Sequence, residues 1–212
     1  MAILMFAPAG TLAWTRAWVL LVIMLAIRVL GAVAVSRVHL PLLRDRARLP
    51  LHAGQPRSDR VLVLAVLATG FLGLPAIAAL DVFRWHLFAR PVPLLSDAGL
   101  GLFAIGWILK QCALRDNAFA TVALRVQHER SHLVVDSGVY AIIRHPFYAA
   151  DPFILIGLGL WLQSSLAAVG AIVPISLMVM RLHGEERFLQ RQLPGYAAYV
   201  ERVPYRLLPG VW

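Results

Sequence analysis

The chain has 212 residues, 60% hydrophobic and only 15% charged, with a mean hydropathy of +0.73. Soluble domains run nearer half apolar and about a quarter charged, so a disordered chain and a small water-facing domain are excluded and a polytopic membrane protein is indicated. The formal net charge of +9 is nearly all arginine and lies between apolar segments rather than in a basic stripe with interleaved aromatics, which speaks for membrane topology and headgroup contact rather than nucleic acid.

Met1 to Ala17 reads as an outer lead-in: its positive charge, Arg16, follows the apolar run instead of preceding it, unlike a signal peptide. The first span is expected from Trp14 to Val35, with Arg28 inside it held by snorkelling or an interhelical partner. Val61 to Leu80 gives an uncharged second span, and Asp97 to Leu114 a third, with Lys110 near its end placed to snorkel. Between them, the stretches from Leu49-Pro50 to Pro56 and at Pro91-Val92-Pro93 read as short loops. Phe147 to Met180 is one long apolar stretch split by Gln163-Ser164-Ser165, a hairpin of two helices. The expected fold is all-α, with five spans and a cytoplasmic helical tail, divided into an N-terminal membrane region (1–126) and a catalytic region (127–212). Gly99-Leu100-Gly101 and Gly157-Leu158-Gly159 lie inside apolar helices, not after a strand, so no Rossmann-type domain is indicated. The single Cys112 and the scattered His39, His52, His86 and His128 have no metal-ligand spacing. Trp14, Trp18, Trp85, Trp107 and Trp161 fit interfacial belts or packing.

Arginine counting sets the topology. Fifteen arginines, Arg48 and Arg130 among them, fall in 36–60, 115–146 and the tail after Met180, against Arg16, Arg84 and Arg90 on the other side. The first three segments are therefore expected in the cytoplasm, with the N-terminus outside and the C-terminus inside, as an odd number of spans requires.

The second half is polar beyond what spans and turns need. His132, Asp136, Gly138, Tyr140, Arg144, His145 and Tyr148 precede the hairpin, and Arg181, His183, Glu185 and Glu186 follow it on the same membrane face. Arg181 and Glu185, four apart, share a helical face, while Glu186 is turned about 100° from Glu185. Read blandly, Arg144 is a headgroup anchor, His145 a cap before Pro146, Arg181 and Glu185 a surface ion pair, and Tyr196 and Tyr199 belt residues.

The ordered series His132-Leu133-Val134, Ser137-Gly138-Val139-Tyr140, Arg144-His145-Pro146-Phe147-Tyr148, Glu185-Glu186, Tyr196-Ala197-Ala198-Tyr199 and Arg202-Val203-Pro204 resembles the isoprenylcysteine carboxyl methyltransferase family and its wider group of membrane phospholipid methyltransferases. The resemblance covers roughly 127–209. It implies an integral membrane enzyme that moves a methyl group from S-adenosylmethionine to a lipid or prenylated acceptor and releases S-adenosylhomocysteine; compactness and the use of arginine over lysine point to a bacterial cytoplasmic membrane. It further implies a cofactor lined by Gln127, His132, Leu133, Val134, Tyr140, His145, Pro146, Tyr148 and Glu185 and a substrate contact at Arg181; the reading of the residues themselves adds Arg144 and Glu186 to Arg181 as candidate catalytic groups. Ala150, Gly184 and the short Leu193-Pro194-Gly195 turn depart from the family pattern and leave the acceptor open.

The residues fit that chemistry on their own. A sulfonium, an ammonium and a carboxylate on one cofactor want carboxylate, aromatic and cationic partners, which Glu185, Tyr140, Tyr148, Arg144 and His145 supply. A carboxylate acceptor is ionised at neutral pH and needs no base, whereas an amine must lose a proton, to Glu186 or His183. Carboxyl O-methylation of an isoprenylcysteine-like acceptor leads, with phospholipid amine N-methylation the alternative. A sterol-reductase-like NADPH enzyme and a transporter stand further off, the latter because the polar residues gather at one interface rather than at a midplane.

Overall fold

The computed structural model describes residues 1–46, 55–122, 124–127 and 131–212; Arg48, Leu49, Pro50, His52, His128 and Arg130 lie outside them. Among the described residues there are helices and turns and no strand. The elements are α1 (Ala2–Ala9), α2 (Thr15–Arg46), α3 (Arg57–Trp85), α4 (Pro93–Asp116), α5 (Pro146–Trp161), α6 (Ser165–Gln192) and α7 (Tyr196–Arg202).

Helices α2, α3, α4 and α6 are each long and apolar enough to cross a membrane. The remaining arm of the expected hairpin, α5, has 16 residues, about 24 Å of helix against a hydrocarbon core of about 30 Å. Four long helices and one shorter one thus stand where five spans were expected. The lead-in forms α1, whose Met5 and Phe6 are buried in the main core. Helix α2 kinks at His39 (φ −135°, ψ 56°), two residues before Pro41, where the proline ring and its missing N–H break the ladder. Helix α3 widens into π-helical turns at Leu67–Gly73 and Asp81–Trp85.

The main contact is α4 against α5, and the glycines explain it. A Cβ on Gly99 would come within 2.6 Å of Leu160, one on Gly106 within 2.7 Å of the Ala150 carbonyl, and one on Gly157 within 2.6 Å of the Gly99 carbonyl. Only hydrogen side chains allow the two backbones this close. Ser164 closes the α5–α6 turn, capping Ala167 N–H at 3.0 Å and donating to Asp81 at 2.7 Å.

Two features differ from the sequence reading. Lys110 does not snorkel: it turns inward to pair with Asp151 on α5, with side chains 14% and 9% exposed. Taking either charge to lipid costs more than joining them. Tyr196 and Tyr199 are not belt residues but are buried with Leu193 and Val203 in a small core of their own.

The polar segments meet in two groups. At one end the arginine-rich pieces converge: Arg46 donates to the Ala120 carbonyl, Arg181 to Asp59 and the Val122 carbonyl, and Arg144 to Glu186. At the other, Arg16 donates to the Trp161 carbonyl, Arg84 to Pro8 and Ser165 to Ala89.

Candidate active site

The site is assembled at the arginine-rich end from three pieces of chain. Gly138, at φ 57°, sits so close on the Asp116 carboxylate that a side chain would collide with it, and Asp116 accepts the Val139 N–H at 2.9 Å. That fixes the turn Gly138–Ala141, which delivers Tyr140. The strip before α5 pairs with the tail: Arg144 and His145 N–H donate to the Tyr205 and Arg206 carbonyls at 2.9 and 3.0 Å. Below it, Glu186 accepts from Arg144 Nε at 2.8 Å and Arg206 Nε at 2.7 Å, while Arg144 Nη1 reaches the Val203 carbonyl at 2.6 Å. Tyr199 adds a bond from its hydroxyl to the Tyr140 carbonyl at 2.7 Å.

This clamp forms one wall of a cavity of about 820 Å³, whose lining runs from Tyr196, Leu193 and Glu185 past Tyr148 to Phe71, Leu67 and Met24 on the spans. Arg181 is the hub of the polar end. Its Nε donates to Asp59 at 2.8 Å, Nη1 to the Tyr148 hydroxyl at 2.8 Å and Nη2 to the Val122 carbonyl at 2.7 Å; the Tyr148 hydroxyl donates in turn to Glu185 at 2.6 Å. His145 stacks edge-on to Tyr148 with centroids 5.8 Å apart, and Phe119 lies flat on His132 at 4.3 Å. Burial pushes the phenols of Tyr140, Tyr196 and Tyr199 above their ordinary pKa, so all three stay neutral at physiological pH.

Two buried polar atoms on this wall, His145 Nε2 and the Tyr196 hydroxyl, find no hydrogen-bond partner among the described residues. The carboxylate nearest His145 is that of Glu186, at 3.7 Å, too far to count as one. A buried polar group left unpaired costs about 1–3 kcal/mol, so a wall with such groups beside a carboxylate is a wall shaped for a polar ligand. An amino acid ammonium fits Glu185, and a carboxylate or adenine fits the His145 and Tyr196 donors. The residues present therefore match what S-adenosylmethionine would need.

Of the residues expected from sequence, His132, Leu133, Val134, Tyr140, Arg144, His145, Pro146, Tyr148, Arg181 and Glu185 line this one cavity. Two of the expected residues, Gln127 and Glu186, do not line it. Gln127 is fully buried off the cavity and gives its amide to the Phe119 carbonyl at 2.9 Å. Glu186 lies behind Arg144, 4% exposed and bonded to the Arg144 and Arg206 guanidinium groups. Asp59 and Asp151 are the residues sequence reasoning missed. Asp59 sits in the first turn of α3 and is buried, and its one signal was an acid between Arg57 and Arg60 just after the loop. Asp151, a charge six residues into an apolar helix, was the more legible.

Residues 95–194 match the phospholipid methyltransferase family. Protein-S-isoprenylcysteine O-methyltransferase B of Arabidopsis thaliana is 31% identical over 115 residues, covering 52% of this chain and 57% of that protein. The nickel-cobalt-cadmium resistance protein NccN of Alcaligenes xylosoxydans xylosoxydans is 30% identical over 149 residues, 61% of this chain and 70% of that protein. Among solved structures, the eukaryotic intramembrane Ras methyltransferase ICMT (isoprenylcysteine carboxyl methyltransferase) superposes with a TM-score of 0.50 at 22% identity, over 73% of this chain and 50% of that one, a likeness of fold. The chain thus spans little more than half the length of the plant relative.

Proposed function

The chain belongs to the phospholipid methyltransferase family, with the isoprenylcysteine carboxyl methyltransferases among its relatives, and from that premise we propose that it transfers a methyl group from S-adenosylmethionine to a lipophilic acceptor resident in the membrane. The observation that carries the reading is the single cavity joining a polar end, with Glu185 and the unpaired His145 and Tyr196 atoms, to an apolar end on the spans. The cofactor supplies an electrophilic methyl on a sulfonium. The chain's own residues do the rest: Glu185 holds the ammonium, His145 and Tyr196 donate to polar groups, and Tyr140 and Tyr148 wall the site. Burial of Tyr140, Tyr148 and Tyr199 keeps water from the reacting atoms, and alignment supplies most of the rate.

The acceptor best supported is a carboxylate of isoprenylcysteine type. The groups expected to take a proton from an amine do not face the cavity: Glu186 is saturated, and His183 is exposed and bonded to the Val179 carbonyl. Arg181 brings the carboxylate into line, since each Nη keeps one N–H beyond those already used. Convergence of the arginine-rich segments at the site supports a cytoplasmic active site with the C-terminus inside, the placement expected of a bacterial inner-membrane enzyme.

The test separates the roles. With an S-prenylated N-acylcysteine as acceptor, Glu185→Gln is expected to weaken S-adenosylhomocysteine binding at least tenfold. Arg181→Gln is expected to keep that affinity and lose turnover. Loss of cofactor affinity in the arginine variant with normal acceptor KM would reverse the assignment.

A further inference from the structure

The membrane arm of the cavity carries polar groups that methyl transfer does not use. Every other arginine or lysine described above on the lining has an acceptor: Lys110 has Asp151, Arg181 has Asp59, Arg144 has Glu186, and Arg46 has the Ala120 carbonyl. Arg28 is different. It stands in the middle of α2, and among the described residues its guanidinium meets only the face of Trp107, 5.4 Å from the ring centroid. Trp107 also lines the cavity, and its indole N–H is buried without an acceptor among the described residues. Gln111, one turn further along α4, lies against Gly31, one turn from Arg28, so closely that a side chain on the glycine would strike its amide. Arg28, Trp107 and Gln111 all line the cavity, at the level of the spans.

Guanidinium and indole are donors only, and the amide adds two more N–H groups. The carboxylate on this part of the wall, Asp151, is already matched by Lys110, so Arg28 leaves a net positive charge at membrane depth. A charge at that depth is costly unless something matches it. A cation without a carboxylate of its own and a buried indole N–H without an acceptor among the described residues, beside an amide that can donate or accept, suit an anionic ligand. We propose that Arg28, Trp107 and Gln111 form an anion-recognition point in the membrane arm, taking the carboxylate or phosphate head of an amphiphile whose chain lies along Met24 and Phe71. The point is separate from the methyl-transfer end and does not depend on that activity. Its occupant is either a single-chain acid of acceptor type or an anionic membrane lipid, which share the headgroup chemistry.

Trp107 provides the readout. The full chain in detergent is titrated with 9,10-dibromostearate, with dibromostearyl alcohol as the neutral match and brominated phosphatidylglycerol as the lipid arm. Saturable quenching is expected with the acid, absent in Trp107→Phe, and at least tenfold weaker with the alcohol. Arg28→Gln is expected to remove the preference for the acid while leaving alcohol binding unchanged, and Gln111→Leu to reduce it severalfold. Competition by phosphatidylglycerol assigns the point to bulk lipid, and its failure to compete assigns it to single-chain acids. Equal quenching by acid and alcohol, quenching that survives Trp107→Phe, or an Arg28→Gln protein that still prefers the acid would each overturn the proposal.

Discussion

Glu186 is the residue on which the site wall depends most. It accepts from Arg144 through Nε and Nη2, at 2.8 and 2.6 Å, and from Arg206 at 2.7 Å, with the Arg144 and Glu186 side chains only 2% and 6% exposed. Glu186→Gln keeps the shape and removes the charge, leaving the Arg144 guanidinium buried without a counter-ion. Stranding one partner of a buried pair costs about 3–5 kcal/mol. At about 2–4 °C per kcal/mol for a chain of this size, the melting midpoint is expected to fall by roughly 6–20 °C. Thermal unfolding in detergent, followed by the fraction remaining monodisperse after heating, reads this directly. Adding Arg144→Met to Glu186→Gln removes the stranded charge and is expected to recover much of the loss, with Arg206 retained as a solvated side chain. A single variant within about 2 °C of the parent would refute the anchoring role.

The Lys110–Asp151 pair obeys the same arithmetic at membrane depth: Lys110→Met alone is expected to cost about 3–5 kcal/mol, and Lys110→Met with Asp151→Leu close to nothing, by the same thermal assay. A double variant as unstable as the single one would show that the pair is needed for more than charge balance. The raised phenols of Tyr140, Tyr196 and Tyr199 set an alkaline limit. Because their folded pKa lies above the unfolded value of about 10, their contribution is intact below that pH and lost as pH climbs through it. The melting midpoint is therefore expected to be flat in this respect from neutrality to about pH 9 and to fall above about 10, less steeply in Tyr196→Phe.

Much of the architecture was written in local pattern. Span positions followed from apolar runs, the α5–α6 turn from Gln163-Ser164-Ser165, and the cavity wall from an ordered series of motifs. What local pattern could not show was pairing across the chain. Lys110 reads as a snorkelling residue until Asp151, 41 positions on, is seen beside it. Tyr196 and Tyr199 read as belt residues until the tail folds back under the clamp. Asp59 gave little warning, since its partner Arg181 is 122 residues away and the intervening spans determine their approach. The glycines are the opposite case: excluded as a nucleotide motif, Gly99 and Gly157 prove to be the contact surface of α4 and α5.

The central claim is that the polar end of the cavity is a site for S-adenosylmethionine. Calorimetry on the detergent-purified full chain, titrated with S-adenosylmethionine, S-adenosylhomocysteine and NADPH in parallel, tests it most directly. Saturable binding of the first two, weakened by Glu185→Gln, and none of the third is the predicted result. Binding of NADPH alone, or of no ligand by a protein shown to be folded, would contradict it.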